Sequence, residues 1–249
     1  MRWFLLHLFA LIFFPVLSRA GDTAPVQLAD GFQLPVGKDG EGYYKSRGYR
    51  PNGHLGEDWN GKGGGNTDLG DPVYATAHGL VVYARNYHDG WGNVIILRHA
   101  YYENGNVRYA DSLYGHLNDI LVREGQQIRR GQQIGTIGTN FGMYEAHLHF
   151  EMRKNIQIGM FRNSFARDFS NYWDPTSFIE AHRTLPGEGQ IVSVPINTFP
   201  DNAPPSYAGP VDATPGSPVT RSRIPGSPLI RHKTFTIDRY GDLREERGY

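Results

Sequence analysis

Between residues 73 and 152 the chain leaves no room for a long helix. Short runs rich in β-branched, aliphatic and aromatic residues, at 73–77, 80–84, 94–97, 107–113, 134–137 and 148–152, are cut by the turn pairs His78-Gly79, Asp89-Gly90, Asn104-Gly105 and Arg130-Gly131. Upstream, residues 31–70 hold twelve glycines, among them Gly61, Gly63, Gly64 and Gly65, which defeats helix and calls for long turns. One helix is legible near residue 174, where Asp174 can cap and Pro175 takes the first helical position; Phe178, Ile179 and Ala181 follow, to an end near Arg183. The expectation is a mostly β domain, an antiparallel sheet or sandwich, with one short C-terminal helix.

The two ends read differently. Arg2 precedes an apolar stretch from Trp3 to Leu17, and Ser18-Arg19-Ala20 places small residues where a signal peptidase reads them. Residues 1–20 are therefore expected to be a cleaved export signal, since the run is shorter than a spanning helix needs and contains Pro15. This implies a periplasmic or extracellular protein with no membrane insertion after cleavage. Ten of the sixteen prolines fall between Pro186 and Pro228, among Ser, Thr, Gly and Asn. That composition predicts a largely disordered linker or tail over 186–249, suited to a cell-wall or division partner. Residues 21–49 are read as an N-terminal extension and 50–185 as the main domain.

Charge and cysteine content exclude several classes. Lys+Arg and Asp+Glu balance at 25 each with no basic run, so the chain has no footprint for nucleic acid. It contains no cysteine, which excludes a disulfide scaffold, a thiolate zinc module and a thiol nucleophile.

The chemistry lies in the histidines. His147 and His149 are two apart in a run that reads as a strand, so both imidazoles face one side. His54 and Asp58 bring a nitrogen and an oxygen from a Gly-rich segment, and a strand register would also put them on one face. Two histidines and a carboxylate leave the fourth position of a tetrahedral zinc open, as catalytic sites do. His116, in Tyr114-Gly115-His116-Leu117, adds an imidazole at a strand end.

With these motifs in this order, the chain resembles the LytM/lysostaphin-type zinc metallopeptidases, which cut peptide bonds in bacterial peptidoglycan. The resemblance runs from about Arg50 to Met152. It includes His54 to Asp58, Gly70-Asp71-Pro72-Val73-Tyr74-Ala75, Gly92-Asn93-Val94-Ile95-Ile96-Leu97, Tyr114-Gly115-His116-Leu117, the paired Gly-Gln-Gln-Ile segments at 125–128 and 131–134, and His147-Leu148-His149-Phe150-Glu151. It implies a β domain with a groove, one zinc per chain held by His54, Asp58 and His149, and His116 and His147 as the catalytic pair. A peptidoglycan peptide would be the substrate of such an endopeptidase. Zinc would activate a water and polarise the scissile carbonyl, while one imidazole moves a proton and another donates to the oxyanion; which does which stays open. Residues 60–68 and 101–111 depart from the family by their length and are expected at the groove rim.

Other readings of the same residues were weighed. Glu151 can orient a ligand from behind or serve as a strand ion pair. Glu57 is expected to point away from the metal. His78, His88, His99, His182 and His232 read as structural. A non-catalytic wall-binding or activator protein of the same fold is the alternative function, against which all five site positions are intact. The 125–135 hairpin also looks like a biotinyl or lipoyl carrier, but it has no lysine to modify.

Overall fold

The computed structural model describes residues 22–187 and 189–200, together with two short paired strands, Phe235–Ile237 and Leu243–Glu245. The segment expected to be an export signal and most of the expected tail lie outside the described residues. Chain order runs β1 (Thr23–Gln27), β2 (Tyr43–Arg47), β3 (Glu57–Gly61), β4 (Pro72–Tyr74), β5 (Gly79–His88), β6 (Gly92–Glu103), β7 (Asn106–Ile120), β8 (Gln127–Ile128), β9 (Gln133–Ile137), β10 (Leu148–Arg153), β11 (Tyr172–Trp173), α1 (Pro175–Ala181) and β12 (Ile191–Pro195). Every strand pairing is antiparallel. The main sheet has ten strands, ordered β2-β3-β10-β7-β6-β5-β8, with β11 on β10 and β9 joining β7 to β4. The mostly β, antiparallel expectation holds.

The sequence pattern explains the elements. Asp174 accepts from the Ser177 amide at 2.9 Å and Pro175 opens α1, so the expected cap and first position are both present. Phe178 from this helix meets Phe32 at 4.9 Å and Tyr101 at 5.8 Å, edge to face in both pairs. They belong to the main core with Ile95, Leu97, Tyr114, Ile134, Leu148 and Phe150, where each large side chain contributes about 1.5 to 3 kcal/mol by leaving water.

Three boundaries differ from expectation. The segment before residue 50 is built into the body: Val26, Leu28, Ala29, Phe32 and Val36 are buried, and β2 pairs with β3. The body also continues past Leu185, because β12 pairs with β1 in the register Thr23↔Pro195 to Gln27↔Ile191 and Val194 is fully buried. Apolar surface on β1, β5 and β6, not local composition, orders this stretch. Finally, residues 101–111 lengthen a regular hairpin between β6 and β7. Residues 60–68 do border the site segment, since Asn66 Oδ1 accepts from the Ala146 amide at 2.8 Å and Asn60 Nδ2 donates to the Ala146 carbonyl at 3.2 Å.

No helix among the described residues is long and apolar enough to cross a membrane.

Candidate metal centre

The register of β3 against β10 sets Asp58 directly opposite His149, and the turn before β3 brings His54 to the same point. Asp58 Oδ1 lies 2.9 Å from His149 Nδ1 and 3.1 Å from His54 Nε2, and those two nitrogens are 3.1 Å apart. All three residues are buried. The strand on the other side of β10, β7, carries His116, whose ring lies 4.9 Å from that of His147 and 5.7 Å from that of His149. His147 Nε2 is 3.9 Å from Asp58 Oδ1. His54, His147 and His149 thus converge on one carboxylate oxygen of Asp58, and His116 stands beside them.

Each imidazole is anchored by its far nitrogen to a group that only accepts. His54 Nδ1 donates to the Gly48 carbonyl at 3.0 Å, His116 Nδ1 to the Trp91 carbonyl at 3.2 Å, His147 Nδ1 to the Glu145 carbonyl at 2.8 Å, and His149 Nε2 to Glu151 Oε1 at 3.0 Å. The protons are thereby placed away from Asp58, and in the neutral rings the other nitrogens present lone pairs. Three lone-pair atoms about 3 Å apart repel one another unless a cation is shared among them. Donors around a tetrahedral ion with bonds of about 2.0 to 2.1 Å would stand about 3.3 Å apart. The donor set and its spacing therefore fit a metal ion.

Electrostatics express the same demand. Burial opposes ionisation of Asp58, yet the His149 and His54 rings beside it hold the carboxyl well below the usual range. Burial would depress His149, but the carboxylates of Asp58 and Glu151 on either side of the ring raise it, so positive charge is favoured between them. His116 is pushed well below the ordinary imidazole value by burial first and then by His147 and His149, which keeps it neutral at neutral pH.

Backbone strain marks the same place. His116 sits at φ 62°, a left-handed conformation rare for a side chain of this size, held by its amide donating to the Trp91 carbonyl at 3.0 Å. The Trp91 ring stacks on His116 at 6.3 Å and meets His149 edge on at 5.3 Å, while the Tyr144 ring lies 4.9 Å from His116. Trp91 and Tyr144 were legible only as two of many aromatic residues near the motifs. Nothing local separates a ring beside a site from one that packs a sheet.

Of the other histidines, His78, His99 and His182 have structural partners, while His232 lies outside the described residues. His99 is fully buried between the His78 carbonyl and the Ser112 hydroxyl. His182 donates to the Phe178 carbonyl and lies 3.2 Å from Glu103. Glu57 points away, toward Lys45, Trp59 and Thr176. Glu151 does both of the things weighed for it, accepting from His149 and from Arg153.

Residues 53–159 match the family model of peptidase family M23. Lipoprotein NlpD of Yersinia enterocolitica is 44% identical over 84 residues, which is 34% of this chain and 78% of that protein. The murein hydrolase activator NlpD of Escherichia coli (strain K12) is also 44% identical over 84 residues, 34% of this chain and 20% of its own length. The peptidoglycan DD-endopeptidase ShyA of Vibrio cholerae is 39% identical over 84 residues, 34% of this chain and 18% of its own. The chain thus spans about a fifth of the last two relatives. With the match over 53–159 and most of one relative covered, the chain belongs to peptidase family M23.

Proposed function

We propose that the chain is an exported zinc-dependent endopeptidase that hydrolyses peptide cross-links of bacterial peptidoglycan. His54, Asp58 and His149 would hold the ion, and His116 and His147 would be the catalytic pair. The observation that carries this reading is the anchoring of His54 and His149 so that their free nitrogens meet one buried carboxylate oxygen of Asp58, with His147 Nε2 3.9 Å from it. A zinc ion bound there supplies Lewis-acid activation of water and polarises the scissile carbonyl. His116, kept neutral by burial, would accept the proton of the attacking water at Nε2 and pass it to the leaving amine. His147, with Nδ1 tied to the Glu145 carbonyl, presents Nε2 beside the same point and in its protonated form donates to the developing oxyanion. Residues beyond about 200 would serve as a tether to a cell-wall or division partner.

A second reading is supported by the relative named as a murein hydrolase activator, 44% identical over 84 residues. In that reading the fold binds wall enzymes and cuts nothing. The intact five-residue site supports the peptidase, since binding alone requires no anchored imidazoles. Incubating the purified zinc-loaded protein with sacculi and identifying released fragments by mass spectrometry separates the two. Cross-linked peptides cut at one defined bond support the peptidase. A protein with stoichiometric zinc that releases no fragment, yet stimulates an added murein hydrolase, establishes the activator.

A further inference from the structure

Strand β10 carries more than a ligand. Its two-residue period puts His149, Glu151 and Arg153 on one face, while Leu148, Phe150 and Met152 fill the core on the other. On the first face the side chains form a line. His149 Nε2 donates to Glu151 Oε1 at 3.0 Å, and Arg153 Nε donates to Glu151 Oε2 at 2.6 Å. Arg153 Nη1 donates to the Gly159 carbonyl, and the guanidinium lies 5.9 Å from the Tyr172 ring. Glu151 and Arg153 are 0% and 1% exposed. Two charges buried this completely are costly to desolvate, and an apolar pair would serve packing as well.

We propose that Glu151 and Arg153 are positioning residues for the metal, a proposal that rests on the zinc reading above. Glu151 holds His149 in the tautomer with its proton on Nε2, so that Nδ1 presents its lone pair beside Asp58. Arg153 engages the second carboxylate oxygen and stops the carboxylate from turning away from the imidazole. Because a guanidinium does not give up its proton, Glu151 stays an acceptor on both oxygens. Gly159 in turn fixes the guanidinium, tying the ligand to the loop after β10.

The test measures zinc affinity of the full chain by competition with a chromophoric chelator, alongside long-range ¹H–¹⁵N spectra of the His149 ring. Glu151→Ala should weaken zinc binding roughly 10- to 100-fold and remove the Nε2–H signature. Glu151→Gln keeps one acceptor oxygen, for which Arg153 and His149 then compete. Adding Arg153→Met should free that oxygen for the imidazole and recover affinity lost in Glu151→Gln alone, a rescue that a purely structural role would not produce. Wild-type affinity in Glu151→Ala, or no recovery in the double variant, overturns the proposal. Should Glu151→Ala fail to fold, the zinc-loaded wild type still decides, since a His149 ring protonated on Nδ1 overturns it. A wild-type chain that takes up no zinc overturns both readings; one that binds zinc with affinity indifferent to these substitutions overturns this one alone.

Discussion

At the scale of single residues, the separation of ligation from proton transfer is the sharpest consequence of the anchoring. His149 lies within 2.9 Å of Asp58, whereas His116 and His147 reach the same region without closing the three-donor set. Replacing His149 with Ala should therefore abolish stoichiometric zinc, measured by atomic absorption on the purified protein. His116→Ala and His147→Ala should keep the metal and lose roughly 10²-fold or more in turnover; metal loss in either would place that residue among the ligands. A second residue-scale prediction concerns His99, whose pKa burial lowers to about 4. Its unfolded value near 6.5 lies above the folded one, so between the two the unfolded chain binds the extra proton. Its contribution is full above pH 6.5 and is lost as pH falls toward 4, by about 3 kcal/mol. Urea midpoints across that range should fall with acid in the wild type and more gently in His99→Phe; parallel slopes would assign the acid sensitivity elsewhere.

At the scale of elements, the hairpin of β6 and β7 is the spine of the sheet. Across it Arg98 and Asp111 pair through two hydrogen bonds of 2.8 Å, with both side chains 1% exposed. Arg98 also donates to the carbonyls of Ile156 and Pro195, each at 2.7 Å, so one guanidinium ties the hairpin to the loop after β10 and to the end of β12. Asp111→Ala would strand this cation and should cost about 3 to 5 kcal/mol, read as a lower denaturant midpoint with unchanged slope. A loss under 1 kcal/mol would mean that water reaches the guanidinium. At its other end the hairpin leads into the bulged segment around Asn93 and Leu117, next to the strained His116. Pattern and turn residues announced the two strands, but their extension to 12 and 15 residues was hidden by polar positions such as Arg98 and Asp111. These look like loop in sequence and are satisfied only by partners distant in the chain.

At the scale of the whole molecule, the two ends of the described chain close on each other through β1 and β12. Ile196 donates to the Asp22 carbonyl at 2.8 Å, Thr198 to the Ile156 carbonyl at 2.5 Å, and Phe199 packs beside Tyr83, Trp91 and Met160. A chain ended at residue 185 should therefore melt several degrees below the full-length protein, whereas one ended at residue 200 should match it. Equal midpoints for all three would return the boundary to Leu185. What the sequence determined alone is what near neighbours decide: short β-branched and aromatic runs cut by turn pairs gave the strands, Asp174 and Pro175 the helix start, and the two-residue spacing of His147 and His149 their common face. Only the tertiary structure decided that Asp58 stands across from His149, which nitrogen of each ring turns inward, and that Thr23 pairs with Pro195. Those outcomes depend on carbonyls, carboxylates and apolar surface contributed by residues distant in the chain, and no local pattern of side chains specifies which distant segment will supply them.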